Sequence, residues 1–158
     1  MNLKKICWHL PVKTVSEINS SEHWTKKSKR HRQQQFFVRS LFNHEAQEIK
    51  LPCKVHLTRL SPCLMDEDNL PTSMKYIKDE IAAQLVPEKV AYYRRKSRLI
   101  ANKGHADNDS RVTWTYGQEK AKSLAVRIEI CFQDDKSSAP ELAPSTEDFL
   151  IEFQPEIF

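Results

Sequence analysis

The stretch 51-LPCKVHLTRLSPCLMDEDNLPTSMKYIKDEIA-82 decides how this chain is read. Its first half alternates. Cys53, Val55, Leu57 and Arg59 fall on one side of an extended segment, and Lys54, His56 and Thr58 on the other. That two-residue period belongs to a strand with one core face, and Ser61-Pro62 ends it. The second half changes period. Met74, Ile77, Ile81 and Leu85 recur at helical spacing, which predicts one helix over 70–86 with Lys75, Lys78 and Asp79 on a different face. Pro71 suits the first turn, where its missing N–H has no role. Asp68 or Asn69 is placed to cap the helix, and Pro87 ends it.

Between strand and helix stand three acids, Asp66, Glu67 and Asp68. Carboxylates at a helix start are favoured by the dipole and by free N–H groups. Carboxylates two apart in an extended segment share a face, and such a pair also suits a divalent ion. Both readings stand at this point.

Outward from this core, residues 5–12 read as a strand, 13–23 as a polar turn and 24–47 as one helix or two. Phe36, Phe37, Leu41 and Phe42 give that helix an apolar face. Residues 88–105 form a basic, aromatic insertion, read as helical or irregular. Two strands follow, Arg111–Gln118 and Leu124–Phe132, with a link that suits a hairpin. The order strand, helix, strand, helix, insertion, two strands predicts an α/β (α+β) fold, a small mixed sheet with helices packed on it. The chain divides into one domain over 1–132, carrying the basic insertion 87–105, and an acidic, flexible tail over 133–158. The apolar end of that tail, 149–158, is placed to dock on the body or on a partner.

Charge is distributed unevenly. The net charge is +4, yet the tail holds seven acids against Lys136 alone. The body is therefore strongly basic, which points to a polyanionic partner. The densest run is Lys26, Lys27, Lys29, Arg30 and Arg32, with no acid from Trp24 to Asn43. A second run, Arg94, Arg95, Lys96 and Arg98, follows Tyr92 and Tyr93, the combination that grips phosphates and stacks on an unpaired base. No apolar run is long enough for a membrane helix, so a soluble, cytoplasmic protein is expected. Four scattered cysteines without a C-x-x-C pair read as reduced thiols. With two glycines in the chain there is no phosphate-cradling loop, hence no nucleotide cofactor.

Asp107 and Asp109 repeat the two-residue spacing just before a strand. If that strand lies beside the first, both acid clusters meet at one edge of the sheet. Lys75, about 10 Å along the helix from its start, would reach a phosphate there. Metal-binding carboxylates with a lysine are equipment for phosphodiester hydrolysis. His105 lies close enough in sequence to touch such a site.

The ordered set HLTRLSPCLMDEDNLPTSMKYIKDEIA, ADNDSRVTWTYGQEK and AVRIEI resembles the RusA-type Holliday junction resolvases, phage and prophage members especially. The shared features are D-x-D-N-L, K-x-x-x-D from Lys75 to Asp79, an acidic element, and W-x-Y-x-Q at Trp114, Tyr116 and Gln118; the helix HWTKKSKRHRQQ resembles the family's basic helix. The resemblance covers roughly residues 5–132. It implies a homodimeric, Mg²⁺- or Mn²⁺-dependent endonuclease acting on branched DNA such as a four-way junction. Asp66, Asp68 and Asp107 or Asp109 would bind metal, and Lys75 with Asp68 would be catalytic. Asn69 and Asp79 would support them. The lysine lies further from the Asp-Asn pair than in the type member, ADND replaces adjacent aspartates, and the insertion and acidic tail are additions. Two other readings remain: a RusA-like DNA-binding protein without catalysis, and an interaction protein working through the acidic tail.

Overall fold

In chain order the elements are β1 (Asn2–Leu10), α1 (Trp24–His44), β2 (Cys53–Ser61), a 3₁₀ turn (Glu67–Asn69), α2 (Leu70–Ser73), α3 (Lys75–Leu85), a second 3₁₀ turn (Pro87–Lys89), β3 (Ala91–Arg95), β4 (Arg98–Asn102), β5 (Val112–Lys120) and β6 (Ala125–Asp134). They come from a computed structural model that describes residues 2–18, 20–44, 49–102 and 106–134. The chain is α+β: a mixed four-stranded sheet ordered β1-β6-β2-β5, with a separate two-stranded sheet, β3-β4.

The alternation read in β2 is the core pattern. Across the ladder, Val55 lies beside Ile130 and Leu57 beside Ile128, and those residues lie beside Ile6 and Trp8 of β1. All six are buried. The helices cover this face through Val38 of α1, Met74, and Ile77 and Ile81 of α3. The helices are also tied to each other. Glu80, 1% exposed, forms an ion pair with Arg39 Nε at 3.2 Å, and the His31 ring stacks on Tyr76 at 3.5 Å. The opposite sheet face is polar, with ion pairs Lys5–Glu129 and Arg127–Glu119.

Five expectations change. The predicted hairpin of the last two strands does not form. β6 inserts between β1 and β2, antiparallel to both, while β5 lies on the outer side of β2 and parallel to it. Burial goes with the choice: Val126, Ile128, Ile130 and Phe132 of β6 are all core residues, whereas β5 buries Val112 alone. The described part of the segment 88–105 is, after the 3₁₀ turn at its start, an antiparallel hairpin of β3 and β4 rather than a helix or an irregular run. The single helix over 70–86 is two, because the backbone at Met74 (φ −109°, ψ 10°) leaves the helical region. Of the two expected caps, Asn69 makes no side-chain capping bond and Asp68 lies inside the 3₁₀ turn. Phe36 lies 63% exposed, and the buried residues of α1 are Gln34 and Val38.

Candidate functional site

The parallel pairing of β2 and β5 governs where the predicted site residues go. Cys53 at the entry of β2 lies beside Val112 at the entry of β5, and Ser61 lies beside Lys120 at the exits. Asp107 and Asp109 therefore precede the entry end, and Asp66 and Asp68 follow the exit end. Nine residues at about 3.3 Å each separate those ends. Lying beside the first strand does not by itself bring the acid clusters to one edge. It is α3 that reaches the second cluster: Lys78 meets Asp107, and Lys75 lines the same cleft.

Two adjoining clefts result. One, about 180 Å³, is lined by Pro71, Thr72, Lys75, Lys78, Asp107 and Tyr116. The other, about 380 Å³, is lined by Glu67, Leu70, Pro71, Tyr116, Gly117 and Gln118. Pro71 and Tyr116 wall both. Lys78 Nζ donates to Asp107 Oδ2 at 3.1 Å, with both side chains 19% exposed, and lies 5.4 Å from the centre of the Trp114 ring. Trp114 Nε1 donates to the Asp107 carbonyl at 3.1 Å. Burial raises the Tyr116 pKa, and the charges of Asp107 and Asp79 raise it further.

The acid segment is fixed from below. Gln118 accepts from the Met65 N–H at 3.0 Å and donates to the Met65 carbonyl at 2.8 Å, a two-way amide pair. Arg59, 7% exposed, donates to the Cys63 carbonyl at 2.7 Å and to Thr14 Oγ1 at 3.0 Å; its burial lowers its pKa. Ser16 Oγ donates to Asn69 Oδ1 at 3.2 Å. Asp66 and Asp68 themselves are exposed. Asp68 lies in a 3₁₀ turn rather than an extended segment, so the two-residue period that would put it on the same face as Asp66 does not apply.

Asp109 is held elsewhere. It accepts from Arg111 Nε at 2.9 Å, Nη2 at 3.0 Å and the Arg111 N–H at 2.9 Å. These bonds hold its pKa at about 2. Arg111 also donates to Glu88 at 2.5 Å. Among the described residues, no group of three or more His, Cys, Asp or Glu side chains is placed to hold a metal. Mg²⁺ needs fewer, taking remaining ligands from water and phosphate. Asp66 and Asp68 are exposed, whereas Asp107 and Asp109 are engaged by cations.

The basic runs divide as well. Arg30 is only 10% exposed and donates to Glu17 at 2.6 Å and Glu22 at 2.8 Å, acids supplied by the loop ahead of α1. Lys26, Lys29 and Arg32 are exposed and Lys27 is half-buried. Arg94, Arg95, Lys96 and Arg98 are all exposed on the β3-β4 hairpin. His105 and the tail from residue 135 lie outside the described residues.

No family model matches the chain, and no curated protein or solved structure matches it. Among the described residues, no helix is long and apolar enough to cross a membrane. The contact of Lys78 with Asp107, the place of Tyr116 in the cleft wall and the anchoring roles of Gln118 and Arg59 were not read from sequence, where Tyr116 and Gln118 stood only as motif residues. The available signal was Lys78 one turn beyond Lys75 and the row Trp114, Tyr116, Gln118 on one strand face.

Proposed function

We propose that this protein is a RusA-like, structure-specific endonuclease acting on four-way or otherwise branched DNA. The observation that carries the reading is the assembly of separated motif residues. Lys75, Lys78, Asp107 and Tyr116 line one cleft, and the strand that supplies Tyr116 also anchors the Asp66–Asp68 segment through Gln118. In this reading the exposed Lys75 binds a phosphate oxygen and stabilises charge that develops on it. Lys78 is a positioning residue, holding Asp107 against Trp114. Asp66 and Asp68 would hold Mg²⁺ or Mn²⁺, which supplies a Lewis acid and a more acidic water. Lys26, Lys27, Lys29 and Arg32 of α1 supply further phosphate contacts. A homodimer goes with this reading, because a four-way junction has two equivalent strands to cut.

The test is incubation of the full chain with a synthetic four-way junction and Mg²⁺ or Mn²⁺, beside Asp68→Asn and Lys75→Ala. Paired nicks from the wild type, lost in both variants while junction binding persists, are expected. A second reading, binding without cleavage, draws support from the Lys78–Asp107 pair, which occupies the acid a third metal ligand would need. Tight junction binding with no nicks, unchanged in Asp68→Asn, would decide for that reading.

A further inference from the structure

We propose that the β3-β4 hairpin is a branch-reading arm whose Tyr92–Leu99 face lies against a base unstacked at the DNA branch point, while its tip grips the flanking phosphates. The inference rests on the DNA-binding part of the reading above and is independent of cleavage.

Four observations carry it. The hairpin stands off the body, since β3 and β4 make their element contacts chiefly with each other. An isolated two-stranded hairpin is marginal in water, so one that exposes both faces is suited to gain its packing from a partner. Its exposed apolar surface is greatest on one face: Tyr92 is 64% exposed and Leu99 67%, against 50% for Tyr93 on the other face. The register places Arg94 opposite Leu99 and Tyr92 opposite Ala101. Opposed residues share a face, so Tyr92, Arg94, Leu99 and Ala101 form one surface, with an aromatic ring and an aliphatic side chain set diagonally. Charge then selects the occupant. Residues 89–102 hold five cations and no acid, four of them crowded at the tip. Among the described residues, Arg94, Arg95, Lys96 and Arg98 take part in none of the ion pairs. Finally, Lys96 turns the chain with φ of 56°, a conformation easier for glycine. The tip keeps a cation where conformation alone would favour none.

A polyanion with an accessible flat apolar face meets this description, and nucleic acid at a branch offers both. Stacked duplex hides its base faces, whereas a crossover leaves some open to an aromatic or aliphatic wedge. The arm therefore reads branching rather than sequence.

The binding experiment uses the full chain in EDTA, so that no binding outcome depends on nuclease activity. Anisotropy titrations compare a four-way junction carrying 2-aminopurine at the crossover with a linear duplex of the same sequence. The wild type is expected to prefer the junction and to raise 2-aminopurine emission. The Tyr92→Ala/Leu99→Ala double variant is expected to lose the emission rise and about tenfold of junction affinity, with duplex affinity unchanged. Neither residue belongs to the core, so thermal unfolding should be unchanged, and Arg94→Ala/Arg95→Ala should weaken both DNAs together. An unchanged junction preference in the double variant, or no preference in the wild type, overturns the inference. Nicking of the junction in Mg²⁺ by that same variant would show the nuclease reading standing without it.

Discussion

Replacing Gln118 tests whether the acid segment is held by the strand beneath it. Two hydrogen bonds, 3.0 and 2.8 Å long, join its amide to both polar groups of Met65. Each is worth about 1 kcal/mol net, more where the stranded partner is shut off from water. Met65 is half-buried, so Gln118→Ala should cost about 1–3 kcal/mol in urea unfolding, with the m-value unchanged. Gln118→Glu separates the two bonds. Its carboxylate still accepts from the Met65 N–H but faces the Met65 carbonyl with a second oxygen. It should be destabilised at neutral pH and recover as the pH falls below about 4, where the acid can donate again. Met65 amide exchange should accelerate in the alanine variant, and junction cleavage should fall much further than DNA binding, since a displacement of about 1 Å costs a site roughly a hundredfold. Stability unchanged in both variants, with Met65 exchange as slow as in the wild type, would refute the anchoring argument.

Three further outcomes are expected. Asp107→Asn removes one of the charges that raise Tyr116, so a difference titration of phenolate absorbance should show ionisation at lower pH than in the wild type. Arg111 depresses Asp109 from 3.8 to about 2; this stabilisation is present above the unfolded value and lost as pH falls through the folded one. Unfolding midpoints of wild type and Asp109→Asn should thus converge between about pH 4 and pH 2. Arg32→Ala should reduce the salt slope of DNA binding by about 1. Arg30→Ala should leave that slope alone and destabilise the fold by about 1–3 kcal/mol, because Glu17 and Glu22 lose their shared partner.

Much of this molecule was legible locally. The alternation of β2 and the stripe Met74, Ile77, Ile81 follow from one chain segment facing one core. The basic runs and the acid segment between strand and helix were equally plain, because they are composition. What the sequence withheld concerns choice of partner. The residues 91–102 carry no apolar alternation because neither hairpin face meets a core, so the strands have no period to read. Arg30 and Arg32 are alike in sequence, yet one turns to Glu17 and Glu22 and the other to solvent. Asp107 and Asp109 share spacing and neighbours, yet one meets Lys78 and the other Arg111. Above all, β5 and β6 are consecutive in the chain and separated in the sheet by β2. Side-chain periodicity fixes which face of a strand is buried, but not which strand lies beside it. That is settled only when whole apolar rows compete for the centre of the sheet, and here the row of β6 took it, leaving β5 at the edge to wall the cleft.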